Sequence, residues 1–245
     1  MVSKNQIKLI SSLHQKKQRI ANQLFFAEGV KVIQELLQSN FELEHLYTTL
    51  NDFSEVPNAK KTVINDSDLK KISALATPNT CLAVFKIPQP KEIIAAGLIV
   101  ALDAIRDPGN LGTILRLCDW FGIQQLICSK ETVDLYNPKV VQATMGSIAR
   151  VNVTYLDLTD FIAKTNLPVF GTFMDGDIIY TANLPQNGIL VMGNEANGIS
   201  SGLEKIIQNR LTIPRFGSLQ KTESLNVATA TAIVLSEFRR ASLKS

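Results

Sequence analysis

Apolar residues form short unbroken runs in the second half of the chain and helically spaced patterns in the first. Residues 98–102 read Leu-Ile-Val-Ala-Leu, 125–128 Gln-Leu-Ile-Cys, 169–173 Val-Phe-Gly-Thr-Phe and 188–192 Gly-Ile-Leu-Val-Met. Brief runs with little polar alternation fit strands buried on both faces. Helical segments are expected at 110–121, 138–145, 202–208 and 224–240, and further strands at 151–155 and 211–213. Buried strands alternating with helices predict a parallel sheet covered on both sides. Ligands of such sheets bind outside the carboxyl ends of the strands.

The first half predicts a smaller mixed α/β unit. Its helices fall at 3–18, 30–38 and 67–75, the last opened by a Ser or Asp cap; its strands fall at 25–27, 43–48 and 80–85. The 30–38 helix carries Val32, Ile33, Leu36 and Leu37 at helical spacing. Residues 87–90, Ile-Pro-Gln-Pro, restrict the backbone and remove amide donors, which marks a linker. Two domains are therefore expected, 1–90 and 91–245.

Composition narrows the class. The chain has 245 residues, 45% hydrophobic and 19% charged, which excludes a disordered or collagen-like chain. The longest apolar run, 93–102, is about half of what spans a bilayer, so no membrane association is expected. Cys81, Cys118 and Cys128 lack metal or disulfide spacing, and the first 20 residues carry no signal-peptide core. These features point to the reducing cytoplasm. Two histidines argue against a histidine-rich metal site, and none is expected.

Net charge is only +3, but its distribution is uneven. Lys4, Lys8, Lys16, Lys17 and Arg19 all precede the first acidic residue, Glu28. Such a cluster suits nucleic-acid phosphates, and it equally suits a solvated basic helix. Arg239, Arg240 and Lys244 close the chain, where cations favour a helix C-terminus.

Three strand ends carry polar, glycine-bearing segments. After 98–102 comes Asp103-Ala104-Ile105-Arg106-Asp107-Pro108-Gly109-Asn110-Leu111-Gly112, leading to Arg116. Asn110 suits a helix N-cap, and Arg116, within an apolar stretch, needs a partner or an anion. After 188–192 comes Gly193-Asn194-Glu195-Ala196-Asn197-Gly198, where Gly193 would let a ligand approach the backbone. No lysine follows to meet a phosphate, which argues against an NTPase. After 211–213 comes Pro214, a loop, and Ser224-Leu225-Asn226-Val227-Ala228. Ser224 suits the cap of the last helix, placing Asn226 inside its first turn.

In this order the three segments closely resemble the SpoU (TrmH) class of SPOUT RNA methyltransferases, over residues 97–240. Asn137-Pro138-Lys139-Val140-Val141 and Met145-Gly146-Ser147 resemble that family's middle segment. Phe25-Phe26-Ala27-Glu28-Gly29 resembles the small ribosomal-protein-like domain that precedes many of its catalytic domains. The resemblance implies ribose 2′-O-methylation of RNA, with S-adenosylmethionine as donor, a trefoil-knotted α/β catalytic domain and a homodimer. It implies that the backbone of Gly193, Ile213 and Leu225 holds the cofactor, with Thr172 lining the pocket. Arg116 and Asn110 would sit by the ribose, organised by Glu195, Ser224 and Asn226. Gln142 stands where the family pattern has arginine, and the loop 215–223 is longer than the common form.

The separate first half favours rRNA over tRNA as substrate. A tRNA ribose methyltransferase and a non-catalytic RNA-binding or ribosome-assembly factor are the competing readings. A nicotinamide-dependent dehydrogenase lacks its GxGxxG after the first strand of the second half.

Overall fold

The computed structural model describes residues 2–50, 53–94, 96–219 and 224–242, with backbone alone at 241–242. Lys221 and Lys244 lie outside the described residues. The first half runs α1 (Lys4–Ser12), α2 (Lys16–Asn22), β1 (Leu24–Glu28), α3 (Val30–Leu37), β2 (Leu43–Thr48), β3 (Lys61–Val63), α4 (Asp66–Ile72) and β4 (Cys81–Lys86). The second runs β5 (Leu98–Leu102), α5 (Pro108–Trp120), β6 (Gln125–Ser129), α6 (Pro138–Thr144), β7 (Asn152–Leu156) and α7 (Leu158–Lys164). It continues through β8 (Val169–Ile178), β9 (Gly188–Met192), α8 (Ser201–Glu204), β10 (Asn209–Thr212) and α9 (Val227–Ser242).

Two compact units emerge: residues 1–90 with 134–150, and residues 91–133 with 151–245. The smaller unit holds a mixed sheet in the order β1-β4-β2-β3. Successive side chains of a strand point to opposite faces, so adjacent Phe25 and Phe26 fill two different cores. Phe26 joins Ile10, Leu13, Leu69 and Ile72 on one face. Phe25 stacks among Phe41, Phe85 and Tyr136 on the other, with ring centroids 5.4, 5.7 and 4.7 Å away. Burying a phenylalanine contributes about 1.5–3 kcal/mol, and Tyr136 and α6 add to the cover of β1. Gly146, at φ 96°, allows the approach to α3, since a Cβ there would come within 2.7 Å of Glu35. Arg150 pairs with Glu35 at the end of the segment.

The single helix expected over 3–18 is interrupted at Leu13–Gln15. Arg19 explains the break: its Nη1 donates to the Leu13 and His14 carbonyls at 2.7 and 3.0 Å. Its Nε and Nη2 donate to Asp134 Oδ2 at 3.0 and 2.5 Å. Arg19 is therefore only 2% exposed and departs from the expected phosphate-facing cluster. Lys4, Lys8, Lys16 and Lys17 are exposed. The helix expected at 67–75 starts earlier, because the Asn65 side chain caps it by accepting from the Asp68 amide.

The larger unit is built on six parallel strands in the order β10-β8-β9-β5-β6-β7. β5, β6 and β9 are buried along their whole length, which is why their sequences read as continuous apolar runs. Edge strand β7 is half-buried throughout. The chain leaves β5 toward β6 and returns to place β9 on the other side. The carboxyl ends of β5 and β9 therefore flank a topological switch point. Cys118 and Cys128 are buried, and desolvation pushes both thiols far above the ordinary range. No helix among the described residues is long and apolar enough to cross a membrane.

The Arg19–Asp134 pair yields a stability prediction. Removing one partner of a buried, hydrogen-bonded ion pair costs about 3–5 kcal/mol. Arg19→Ala should lower the urea midpoint of the chain accordingly, read by circular dichroism. An unchanged midpoint would refute a structural role for Arg19.

Candidate active site at the carboxyl ends of the central strands

The first site segment leaves β5 at Asp103. This aspartate is buried, and its Oδ2 accepts from the Ser200 amide at 2.7 Å. Ala104 follows in the left-handed region at φ 55°. A residue with a Cβ held there costs on the order of 1–3 kcal/mol. The surroundings hold it from both sides: its amide donates to Ser129 Oγ at 3.0 Å, and its carbonyl accepts from Asn194 Nδ2 at 2.7 Å. Helix α5 then begins with Asp107 as N-cap, its side chain accepting from the Asn110 amide at 2.8 Å, and with Pro108 in the first turn. The cap expected at Asn110 therefore lies three residues earlier, which frees the Asn110 side chain.

That side chain joins the three segments. Asn110 Nδ2 donates to Glu195 Oε1 at 2.6 Å, and Asn226 Nδ2 donates to Asn110 Oδ1 at 2.9 Å. A carboxylate only accepts, so Glu195 fixes which end of the Asn110 amide faces it. The remaining oxygen then fixes the Asn226 amide. Asn226 Oδ1 is left to accept from the Ala228 and Thr229 amides at 3.0 and 3.2 Å. Asn226 is thus the cap of α9, a position where asparagine is favoured, rather than part of its first turn. Ser224 is exposed and makes no hydrogen bond among the described residues.

The Gly193–Gly198 turn is shaped from within. Asn194 Oδ1 accepts from the Ala196 and Asn197 amides at 3.0 and 3.2 Å. Asn194 and Gly198 also exchange backbone hydrogen bonds at 2.9 and 2.8 Å. A Cβ on Gly193 would lie 2.3 Å from Gly198 and Ile199 backbone atoms. The return of the chain at Gly198 and Ile199 therefore leaves no room for a side chain at Gly193.

Arg116 lies six residues beyond Asn110, about 9 Å along the axis and on a different face of α5. It is exposed and makes no hydrogen bond or ion pair among the described residues. Thr113 and Trp120 flank it at helical spacing, and Trp120 is 84% exposed. The structure therefore brings Asn110, Glu195 and Asn226 together, and leaves Arg116 and Ser224 outside that chain of bonds.

The expected cofactor residues fit a ligand that takes backbone hydrogen bonds. Among the described residues, no backbone group of Gly193, Ile213 or Leu225 is hydrogen-bonded. Gly193 and Ile213 are half-buried, so their polar groups call for a partner. Thr172 marks the point where β8 leaves β9, since pairing ends at Gly171 and Val191. Its Oγ1 lies 3.7 Å from Met192 Sδ. Asp103, Ala104, Asp107 and Asn194 shape the site although sequence reasoning assigned them no role. Their signal in the sequence was their place in the first two polar segments, with Asp107 also directly before a proline, a common helix opening.

A six-stranded parallel sheet with three loops joined at its switch point defines an α/β domain whose ligands bind outside the strand ends. The chain belongs to the SpoU rRNA methylase family, whose model matches residues 97–236. A model of an MRM3-like substrate-binding domain matches residues 4–83. The chain is 28% identical, over 97% of both sequences, to the 23S rRNA (guanosine(2553)-2′-O)-methyltransferase RlmP of Bacillus subtilis. It is 42% identical, with a TM-score of 0.89, to a Porphyromonas gingivalis structure assigned to the TrmH family of RNA methyltransferases; the match covers 98% of this chain and 99% of that one. An AdoMet-bound rRNA methyltransferase from Sinorhizobium meliloti matches at 29% identity and a TM-score of 0.86, over 98% and 97% of the two chains.

Asn226 has two separable jobs. Asn226→Ala should lose about 1 kcal/mol of stability, the ordinary cost of removing a cap. Asn226→Ser keeps a capping oxygen but is too short to reach Asn110, and should unfold near the wild-type midpoint. Equal destabilisation of both variants in urea would contradict the capping role.

Proposed function

We propose that this chain transfers a methyl group from S-adenosylmethionine to the 2′-hydroxyl of a ribose in rRNA. The observation that carries the reading is the Asn226–Asn110–Glu195 chain, which joins the three family segments at one switch point. The donor supplies an electrophilic methyl group when bound. The backbone groups of Gly193, Ile213 and Leu225, which are free among the described residues, would hold it with Thr172. Glu195 orients Asn110, and Asn110 with Asn226 positions the acceptor ribose. Alignment of reacting groups in such a frame lowers a barrier by about 7–11 kcal/mol.

Arg116 is exposed and unpaired among the described residues, which suits an arginine that awaits an anion. A guanidinium does not release its proton near neutral pH, so general-base action is a poor role for it. We assign it to an RNA phosphate and to the charge that develops on the ribose oxygen.

The finer features follow from the family reading. The last helix would pass through a loop as a trefoil knot, and two copies would form a homodimer. The exposed stripe of Thr113, Arg116 and Trp120 offers the second copy a face on α5. Residues 1–90 would bind RNA through Lys4, Lys8, Lys16 and Lys17. Residues 91–245 would carry the chemistry. The three cysteines are buried and form no disulfide among the described residues, in keeping with the cytoplasm. Alignment with a 23S rRNA enzyme along nearly the whole chain supports rRNA over tRNA.

The test is transfer of labelled methyl to unmodified rRNA and tRNA, with Arg116→Ala alongside. Alkali-resistant label in rRNA, reduced at least about 100-fold in the variant with cofactor binding intact, is the expected result. Label in tRNA alone would overturn the substrate assignment. Loss of cofactor binding in the variant would overturn the role of Arg116.

A further inference from the structure

Arg106 sits in the loop that carries Asn110, and the mechanism above does not use it. Its backbone is held on both sides. Ala104 reverses the chain at φ 55°, fixed by Ser129 and Asn194. Ile105 is fully buried, and its carbonyl accepts from the Val133 amide at 2.8 Å. Asp107 is tied to the start of α5. Between a buried anchor and a helix cap, Arg106 has little freedom except in its own side chain, which is exposed.

No internal acid claims it. Asp103 accepts from the Ser200 amide, Asp107 from the Asn110 amide and Glu195 from the Asn110 side chain. Among the described residues Arg106 makes no hydrogen bond or ion pair, although the exposed Glu131 lies on the adjoining loop. A guanidinium on a rigid base, unpaired and four residues before Asn110, matches the planar two-pronged recognition of a phosphate.

We infer that Arg106 binds a backbone phosphate of the RNA strand beside the acceptor ribose, as a positioning contact distinct from Arg116. The strained turn at Ala104 sets where that cation stands. This inference rests on the RNA-methyltransferase reading.

The test is binding of an unmodified rRNA transcript to the full chain across a salt series, with Arg106→Ala and Arg106→Lys. Arg106→Ala should weaken binding roughly 5–10-fold and reduce the log–log salt slope by about 0.7–0.9, the share of one phosphate contact. The KM for RNA should rise more than kcat falls. Arg106→Lys should recover the salt slope. Binding of S-adenosylmethionine and the melting temperature should stay at wild-type values. An unchanged salt slope in Arg106→Ala would overturn the inference while leaving the methyltransferase reading intact. A rise in the Kd for S-adenosylmethionine would overturn it by assigning Arg106 to the donor. Failure of the wild-type chain both to bind the transcript and to transfer methyl would overturn both readings.

Discussion

A single carboxylate gives the site its direction. Glu195 can only accept, so Asn110 must turn its amino group to it, and Asn226 must do the same toward Asn110. The last oxygen in the series then caps α9. Three loops that are far apart in sequence are thereby aligned by one charge, with no free choice of amide orientation between them. Asn226 is exposed and Asn110 and Glu195 are half-buried, so these bonds fix orientation more than they add stability. The start of the final helix is thus coupled to the turn after β9.

The sheet provides the rigid base for this coupling. β5 and β9 are buried along their whole length and paired in parallel from Leu98–Gly188 to Leu102–Met192. Beyond that register the chain departs at once into polar turns. Ala104 takes a conformation that disfavours a side chain, and Gly193 lies where no side chain fits. Strain and close approach are concentrated within two residues of the strand ends. Strain of this sort persists only where surrounding bonds over-determine the backbone. Here they are supplied by Ser129, Asn194 and Asp103.

Much of this was legible in the chain itself. The unbroken apolar runs at 98–102 and 188–192 marked the central strands because full burial removes polar alternation. The short β3 was not visible, since a half-exposed strand of three residues carries little pattern. Helix α7 escaped because its signal is mainly a cap, Asp157 accepting from the Asp160 amide. The site residues Asn110, Glu195 and Asn226 were legible as motif members, but the bonds between them were not. Gly193 showed that a side chain was missing without showing that Gly198 and Ile199 occupy the space. Arg19 looked like its lysine neighbours, because its partner Asp134 lies 115 residues away. For the same reason, sequence proximity did not reveal that residues 134–150 complete the smaller unit.

Glu195 and Asn226 are joined through Asn110 into one hydrogen-bonded unit. A double-mutant cycle tests it most directly. Glu195→Ala, Asn226→Ser and the double variant are compared by single-turnover methyl transfer at saturating cofactor and RNA. Groups joined in one hydrogen-bonded network show coupling of about 0.5–3 kcal/mol, whereas independent sites add. The double variant should be little slower than the slower single variant. Two rate losses that simply multiply would contradict it.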